Sequence, residues 1–286
     1  MAGTFPDMPA EAPARASGTF AIGGELTVHR LGFGAMRLPA AWDARESGGA
    51  SREMLREAVR LGVDFIDTAH AYGRSEEVLA EALHPYPDGL VIATKGGLRR
   101  GGDPDGRPER LREDCEKSLR RLRLEAIDLW QLHRVDPAVP VEEQFGAIRE
   151  LRDEGKIRFV GVSEVTAAEL ARARALVEIA TVQNRYNIAQ RGADDVLAVC
   201  EADGVGFMPW APIRAGGQTV SSDALAAVAE RHHATPPQVA LAWLLQRSPV
   251  MLPIPGTSTR EHMRENIDSA LIGLSEEDVA TLERPA

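Results

Sequence analysis

The chain has 286 residues, 44% hydrophobic and 27% charged, a composition typical of a globular protein with a large apolar core. Its 33 basic and 43 acidic residues give a formal net charge of −10, which argues against a large basic surface for nucleic acid or anionic lipid. No stretch approaches the roughly 20 apolar residues of a membrane span, and two distant cysteines indicate neither a disulfide framework nor a structural zinc site, so we expect a cytoplasmic protein.

The predicted elements begin after residue 18. The segment 1–18 is rich in Pro, Ala and Gly and predicts a disordered leader, whereas residues 19–286 predict a single domain. FAI-GG-ELTV predicts a β-hairpin, because Gly23 and Gly24 accept the positive φ angles of a tight turn. Short apolar runs then alternate with helical patterns about eight times, from LGFGA and SREMLREAVRLG to MLPIPG and TREHMRENIDSAL. This alternation predicts an α/β fold, a (β/α)8 TIM barrel with the hairpin capping its bottom.

Several helices carry N-terminal signals. Ser51, Ser75 and Thr166 precede apolar-periodic runs with acidic residues close behind, which predicts that each is an N-cap. Another helix is expected to begin near Thr259.

Polar residues recur where predicted strands end. Asp67, Tyr72, Lys95, His133 and Ser163 follow the apolar runs in GVDFIDTAHAYG, VIATKGG, IDLWQLHRVD and RFVGVSE. In a (β/α)8 barrel the active site is built at the C-terminal ends of the strands. We therefore expect these side chains to converge on one ligand.

Three of these residues form a coherent proton-donating unit. A tyrosine hydroxyl has a pKa near 10, and the ammonium of Lys95 is expected to move the pKa of Tyr72 towards the working range. Asp67 would keep that lysine charged, and a neutral His133 would orient a substrate carbonyl. The alternative is an Asp–Lys pair that only holds the barrel mouth together, with Tyr72 and His133 packing structurally. A metal site of Asp67, His70 and His133 is disfavoured, because the HxH after the first strand is absent.

The motifs DFIDTAHAYG, IATKGG, LWQLHRVD, GVSE and PIPGTSTREHMREN resemble those of the aldo-keto reductases, and the resemblance covers nearly the whole chain after residue 18. It implies that Asp67, Tyr72, Lys95 and His133 are a catalytic tetrad that reduces aldehydes or ketones. The cofactor implied is NADPH, with NADH as the alternative. A Rossmann site is disfavoured, because GFGAMR lacks the third glycine of GxGxxG.

The resemblance also implies how the cofactor lies across the rim. Ser163 and Gln183 would bind the carboxamide, and Trp210 would stack on the nicotinamide, although an aromatic there is also compatible with core packing. At the other end, the helix after Thr259 offers N–H groups to phosphate, with Thr257, Ser258 and Arg260 beside the 2′-phosphate and Glu265 and Asn266 beside the adenine. A plain helix cap is the alternative for Arg260. Other cofactor contacts expected are Gly34, Met36, Arg37, Pro212, Ile213, Arg214, Gly256 and His262.

Two positions depart from the family pattern. Glu164 stands where many relatives have Asn, and its ionised carboxylate accepts hydrogen bonds but donates none. Gly256 stands where some relatives have a lysine near the 2′-phosphate. NADPH remains the expected cofactor.

Only NIDSALIGLSEEDVATLERPA follows the last cofactor motif, which predicts an open pocket without a long flap. LRRGGDPDGRP is expected to form one wall, with Trp42, Arg134 and Tyr186 as weaker candidates. Such a site suits medium-sized or aromatic carbonyl compounds. The partners expected are a small carbonyl substrate and at most a weak homo-oligomer, with neither nucleic acid nor membrane. The alternative function is a regulatory subunit that senses nicotinamide cofactor with little turnover.

Overall fold

A computed structural model describes residues 12–42, 48–99, 101–213 and 222–283. The predicted hairpin is formed by antiparallel strands β1 (Thr19–Ile22) and β2 (Leu26–His29). In the turn between them Gly23 and Gly24 have φ angles of 60° and 76°, which lie in the region that favours glycine. The hairpin therefore forms for the reason the sequence suggested.

In the described part of the chain, seven parallel strands pair in chain order and make up the barrel wall. They are β3 (Phe33–Gly34), β4 (Phe65–Asp67), β5 (Val91–Gly96), β6 (Ile127–Leu132), β7 (Ile157–Ser163), β8 (Thr181–Gln183) and β9 (Gly206–Phe207). The segment 250–255 closes the barrel: the Leu252 N–H donates to the carbonyl of Phe207 at 2.7 Å, and the Gly32 N–H donates to that of Pro253 at 2.9 Å. Prolines 253 and 255 have no N–H, so this segment does not form a regular ladder. The (β/α)8 prediction is confirmed.

Helices follow the strands and cover the outside of the sheet. They are α1 (Pro39–Trp42), α2 (Gly49–Arg60), α3 (Ser75–Leu83), α4 (Pro108–Leu122), α5 (Val141–Asp153), α6 (Ala167–Arg174), α7 (Asp194–Asp203), α8 (Ser222–Arg231), α9 (Pro236–Arg247), α10 (Arg260–Asp268) and α11 (Glu276–Leu282). Short 3-10 turns span Ala35–Arg37 and Ser269–Leu271. None of the helices in the described ranges is long and apolar enough to cross a bilayer.

The N-cap predictions were right at one of the three serine and threonine positions. Thr166 caps α6 in a capping box with Glu169. Ser51 lies inside α2, where its hydroxyl accepts from the N–H of Ala40 at 3.3 Å. Ser75 is the first residue of α3, and its hydroxyl accepts from that of Thr68 at 2.8 Å. Both predictions were wrong because these hydroxyls tie their helices to neighbouring loops instead.

The predicted disordered leader was too long. Pro13–Ser17 form a 3-10 helix. The Ala14 N–H donates to the carbonyl of Leu61 at 3.1 Å, and the Ser17 hydroxyl accepts from the N–H of Leu31 at 3.1 Å. Composition does not reveal this docking, because the partners lie up to about 50 residues away in the chain. The rest of the predicted leader, residues 1–11, lies outside the described residues.

The hairpin caps the bottom of the barrel, as predicted. Ile22 and Val28 are fully buried in one apolar cluster with the barrel residues Phe65 and Leu129. The turn lies so close to β7 that a Cβ atom on Gly23 would stand 2.2 Å from the Phe159 ring. With this end sealed, an open cavity lies at the opposite rim.

Candidate active site

A cavity of about 870 Å³ opens at the C-terminal ends of the strands. It brings together residues that the sequence places far apart, because parallel strands end at the same rim. The predicted site residues that line it are Gly34, Met36, Arg37, Asp67, Tyr72, His133, Ser163, Gln183, Trp210, Pro212, Ile213, Gly256, Thr257, Ser258, His262, Glu265 and Asn266.

Four predicted site residues are not among those lining the cavity. Lys95 is completely buried behind Asp67 and Tyr72. Thr259 and Arg260 open α10 beside the cavity. Arg214 lies outside the described residues.

Asp67 and Lys95 form a buried ion pair at the ends of β4 and β5. The Lys95 Nζ donates to Asp67 Oδ2 at 2.6 Å and to the carbonyl of Thr68 at 2.9 Å. The other carboxylate oxygen, Oδ1, accepts from the amides of Gln131 at 3.1 Å and Gln183 at 3.0 Å. Burial by itself lowers the pKa of Lys95, but the Asp67 carboxylate and Tyr72 together outweigh it and raise that pKa. The lysine is therefore charged.

The ammonium of Lys95 lies 5.0 Å from the centre of the Tyr72 ring. Removal from solvent raises the pKa of Tyr72, and the charge of Lys95 opposes this shift without overcoming it. The expectation that the lysine moves this pKa downwards is therefore wrong for the net effect, because desolvation of the phenolate is the larger contribution. Tyr72 is a neutral hydroxyl at physiological pH and carries a proton to donate.

His133 stands edge-on to Tyr72, with 5.8 Å between the ring centres and an angle of 82° between the planes. Burial, followed by the charges of Lys95 and Arg134, lowers the pKa of His133 well below its usual value. The imidazole is therefore neutral, as expected. Its Nδ1 is buried and has no hydrogen-bond partner among the described residues.

His70, two residues before Tyr72 in the chain, contacts α4. Its Nε2 is 3.3 Å from Asp114 on α4, and its Nδ1 is 3.3 Å from Arg121. Across the described ranges, no group of three His, Cys, Asp or Glu side chains is placed to hold a metal ion.

Trp210 lines the cavity, and a hydrogen bond from its indole N–H fixes the ring. Its indole N–H donates to Glu164 Oε1 at 2.6 Å, and the same oxygen accepts from the backbone N–H of Arg185 at 2.7 Å. Glu164, which departs from the family pattern, thus fixes the indole. The neighbouring Ser163 hydroxyl accepts from Arg134 at 3.1 Å.

The far end of the cavity is formed around the start of α10. Thr259 caps the helix by accepting from the N–H of His262 at 3.3 Å, as the sequence suggested. Glu57 on α2 accepts from Arg260 Nε and Arg264 Nε at 2.6 Å each. Arg260 is thus engaged by a nearly buried carboxylate and is not among the residues that line the cavity.

Sequence reasoning missed part of the lining. The missed residues are Arg185, Ala211, Thr235, Pro237, Ile254 and Pro255. Arg185 follows Gln183 by two residues, and the period of a strand would have placed both on one face. Thr235 and Pro237 lie at the start of α9. No sequence pattern indicates that they line the cavity, because only the tertiary fold brings this end of the helix to the rim.

Of the three weaker candidates for the substrate pocket, Arg134 lines the cavity, whereas Tyr186 and Trp42 do not. Tyr186 is fully buried and stacks on Trp243 at 6.2 Å. Trp42 is 56% exposed and lies outside the lining. Of the predicted Gly-rich wall, only Leu98 contributes among the described residues.

Comparison with known proteins gives a consistent result. The sequence profile of the Aldo/keto reductase family matches residues 30–285. An uncharacterized oxidoreductase of Schizosaccharomyces pombe is 45% identical, covering 94% of this chain and 90% of that protein. Pyridoxine 4-dehydrogenase of Escherichia coli is 40% identical, covering 93% and 98%. The crystal structure of an aldo-keto reductase from Klebsiella pneumoniae in complex with NADPH has a TM-score of 0.76 at 28% identity, covering 92% and 93%.

Proposed function

The chain belongs to the aldo/keto reductase family, and on that premise we propose that it reduces aldehydes or ketones to alcohols with NADPH, using Tyr72 as the general acid. The observation that carries the proposal is the charged Lys95–Asp67 pair behind Tyr72 and a neutral His133 at the cavity wall. A purely structural ion pair does not require the tyrosine and histidine to face a cavity.

The residues present fit a nicotinamide dinucleotide. The first N–H groups of a helix lack intrahelical partners and favour anions, and at α10 they stand beside the hydroxyls of Thr257 and Ser258. At the other end Trp210 offers a ring face, and the Gln183 side-chain oxygen makes no hydrogen bond within the described ranges. That oxygen is free to accept from a carboxamide, while Glu265 and Asn266 lie where the adenine is expected.

When bound, the nicotinamide supplies a hydride to the carbonyl carbon. Tyr72 donates its proton to the carbonyl oxygen as negative charge develops there. Lys95 stabilises the resulting phenolate, and Asp67 keeps Lys95 charged and in place. The neutral ring of His133 positions the carbonyl oxygen beside the tyrosine hydroxyl.

The preference for NADPH over NADH depends on Arg260 within this proposal. Glu57 holds the Nε and one terminal nitrogen of Arg260, which leaves the second terminal nitrogen for a 2′-phosphate. NADPH is favoured because the K. pneumoniae relative was crystallised with it and because the α10 start presents hydroxyls to an additional phosphate.

The test is oxidation of NADPH at 340 nm with 4-nitrobenzaldehyde, comparing the unmodified protein with Tyr72→Phe. The matched control is Tyr86→Phe, which removes a hydroxyl that bonds the carbonyl of Leu122 away from the cavity. We expect kcat to fall by about 100-fold or more in Tyr72→Phe, the scale of a lost general acid. NADPH binding, followed by fluorescence, should persist in both variants.

Two results would overturn the proposal. Equal turnover by the unmodified protein and Tyr72→Phe would remove the tyrosine from the mechanism. Tight NADPH binding without turnover of a broad aldehyde and ketone panel would instead favour a cofactor-sensing regulatory subunit.

A further inference from the structure

Two arginines that the proposed chemistry does not use line the catalytic part of the cavity. Arg134 directly follows His133 at the end of β6, and Arg185 follows Gln183 by two residues at the end of β8. Both are partly buried. Desolvating a guanidinium is costly unless a partner compensates, so these positions call for an explanation.

Neither guanidinium is paired with a carboxylate in the described part of the chain. Arg134 donates only to neutral oxygens: the carbonyl of His133 at 2.5 Å and the hydroxyl of Ser163 at 3.1 Å. The Arg185 guanidinium lies 5.3 Å from the centre of the Trp210 ring, and its Nε is buried without a hydrogen-bond partner among the described residues. Most other partly buried arginines of this acidic chain are in ion pairs, for example Arg110 and Arg121.

The carboxylates near these arginines are already engaged. Asp67 lies against Lys95, and Glu164 uses Oε1 for the Trp210 indole and a backbone N–H. Glu265 lines the cavity from α10, on the expected adenine side. Among the described residues, the two guanidiniums at the substrate end of the cavity therefore have no carboxylate ion-pair partner, in a chain whose net charge is −10.

We propose that Arg134 and Arg185 form an anion-binding subsite, and that the preferred substrates are carbonyl compounds that carry a carboxylate. The inference rests on the proposed function and names its substrate class. A guanidinium binds a carboxylate through parallel hydrogen bonds that an ammonium does not match. Because Arg134 is adjacent to His133 in the chain, the bound carboxylate lies close to the carbonyl that reacts.

The experiment compares 4-formylbenzoate with its methyl ester. The two aldehydes share the ring and the reacting group, and differ in the charge at the far end. We expect the unmodified protein to prefer the carboxylate by about 10-fold or more in kcat/KM, and Arg134→Met or Arg185→Met to lower that preference by about 10- to 100-fold, the range for a hydrogen bond to a charged group. The loss should appear mainly in KM for the carboxylate, with the ester little affected.

Arg172→Met is the matched control, because Arg172 is exposed on α6, outside the cavity lining. It should leave the preference unchanged. Equal kcat/KM for the two aldehydes in the unmodified protein would overturn the proposal. An unchanged preference in both Arg134→Met and Arg185→Met would also overturn the proposal. If these variants weaken NADPH binding while the preference stays unchanged, the arginines belong to the cofactor site.

Failure of this inference is distinguishable from failure of the proposed function. Turnover of 4-nitrobenzaldehyde that depends on Tyr72, together with no preference for 4-formylbenzoate, would refute the subsite alone. If no aldehyde is reduced, the proposed function fails. The anion-binding subsite is then tested by itself, by calorimetric titration of the unmodified protein and of Arg134→Met with benzoate. Binding that Arg134→Met abolishes would support it, and equal binding by both proteins would refute it.

Discussion

Lys95→Met should separate the structural from the catalytic role of the buried ion pair. The Lys95 side chain is 0% exposed and that of Asp67 is 4% exposed. Removing one partner of a buried pair costs about 3–5 kcal/mol in free energy of unfolding, because the other charge is left uncompensated. Methionine fills much of the same volume, so little of this cost comes from a cavity.

The remaining contacts place the expected loss near the lower end of that range. Asp67 keeps hydrogen bonds from Gln131 and Gln183 after the lysine is removed, and donors to a charged group offset part of its desolvation. We expect a loss of about 3 kcal/mol, which leaves a protein of ordinary stability folded. Turnover should fall as well, because the charge beside Tyr72 is gone.

The assay is urea unfolding followed by circular dichroism, which gives the free energy of unfolding of the variant and of the unmodified protein.

The control is Arg158→Met, which removes an exposed pair with Asp128, where Arg158 is 48% exposed. That change should cost no more than about 1 kcal/mol. Equal losses in Lys95→Met and Arg158→Met would refute the assignment of Lys95 as a charged, buried partner of Asp67.

Two further predictions concern stability. Gly23→Ala should lower the free energy of unfolding by about 1–3 kcal/mol through overpacking, because its Cβ would stand 2.2 Å from the Phe159 ring. Gly24→Ala is the control: Gly24 has a similar φ and nothing within 4 Å of its Cβ position, so this change should cost only about 1 kcal/mol from backbone strain. Equal losses in urea unfolding would contradict the hairpin contact. Burial, with the charge of Arg121, lowers the pKa of His70 to about 4, so the unfolded chain takes up a proton first and stability should fall as the pH drops from about 6.5 towards 4. His70→Gln should reduce that fall in thermal unfolding, and an unchanged pH dependence would count against a buried neutral imidazole.

Much of the fold could be predicted from the sequence, because the patterns that indicate its strands, helices and turns are local. The alternation of apolar runs and helical patterns requires only the periodicities of strands and helices, and the two glycines of the hairpin turn require only their own φ angles. Likewise, Asp67, Lys95 and His133 were found at one rim because each follows an apolar strand, and parallel strands end on the same side.

Only the tertiary structure decided which neighbours each group has. Tyr72 was expected to respond mainly to Lys95, but its pKa is raised because the fold removes it from solvent. Arg260 was expected at the cofactor, and its guanidinium is held through two of its three nitrogens by Glu57, some 200 residues earlier, which no local pattern shows. Arg185 faces the cavity without a carboxylate partner in the described ranges, and no local pattern shows that.

The sequence by itself thus determined the barrel, the hairpin and the strand ends that carry the polar groups. The electrostatic state of those groups was decided only by the tertiary structure, because desolvation and ion pairing depend on atoms from distant segments. Whether a side chain is buried or exposed depends on the packing of the whole molecule, whereas the periodicity of strands and helices can be read from the sequence alone.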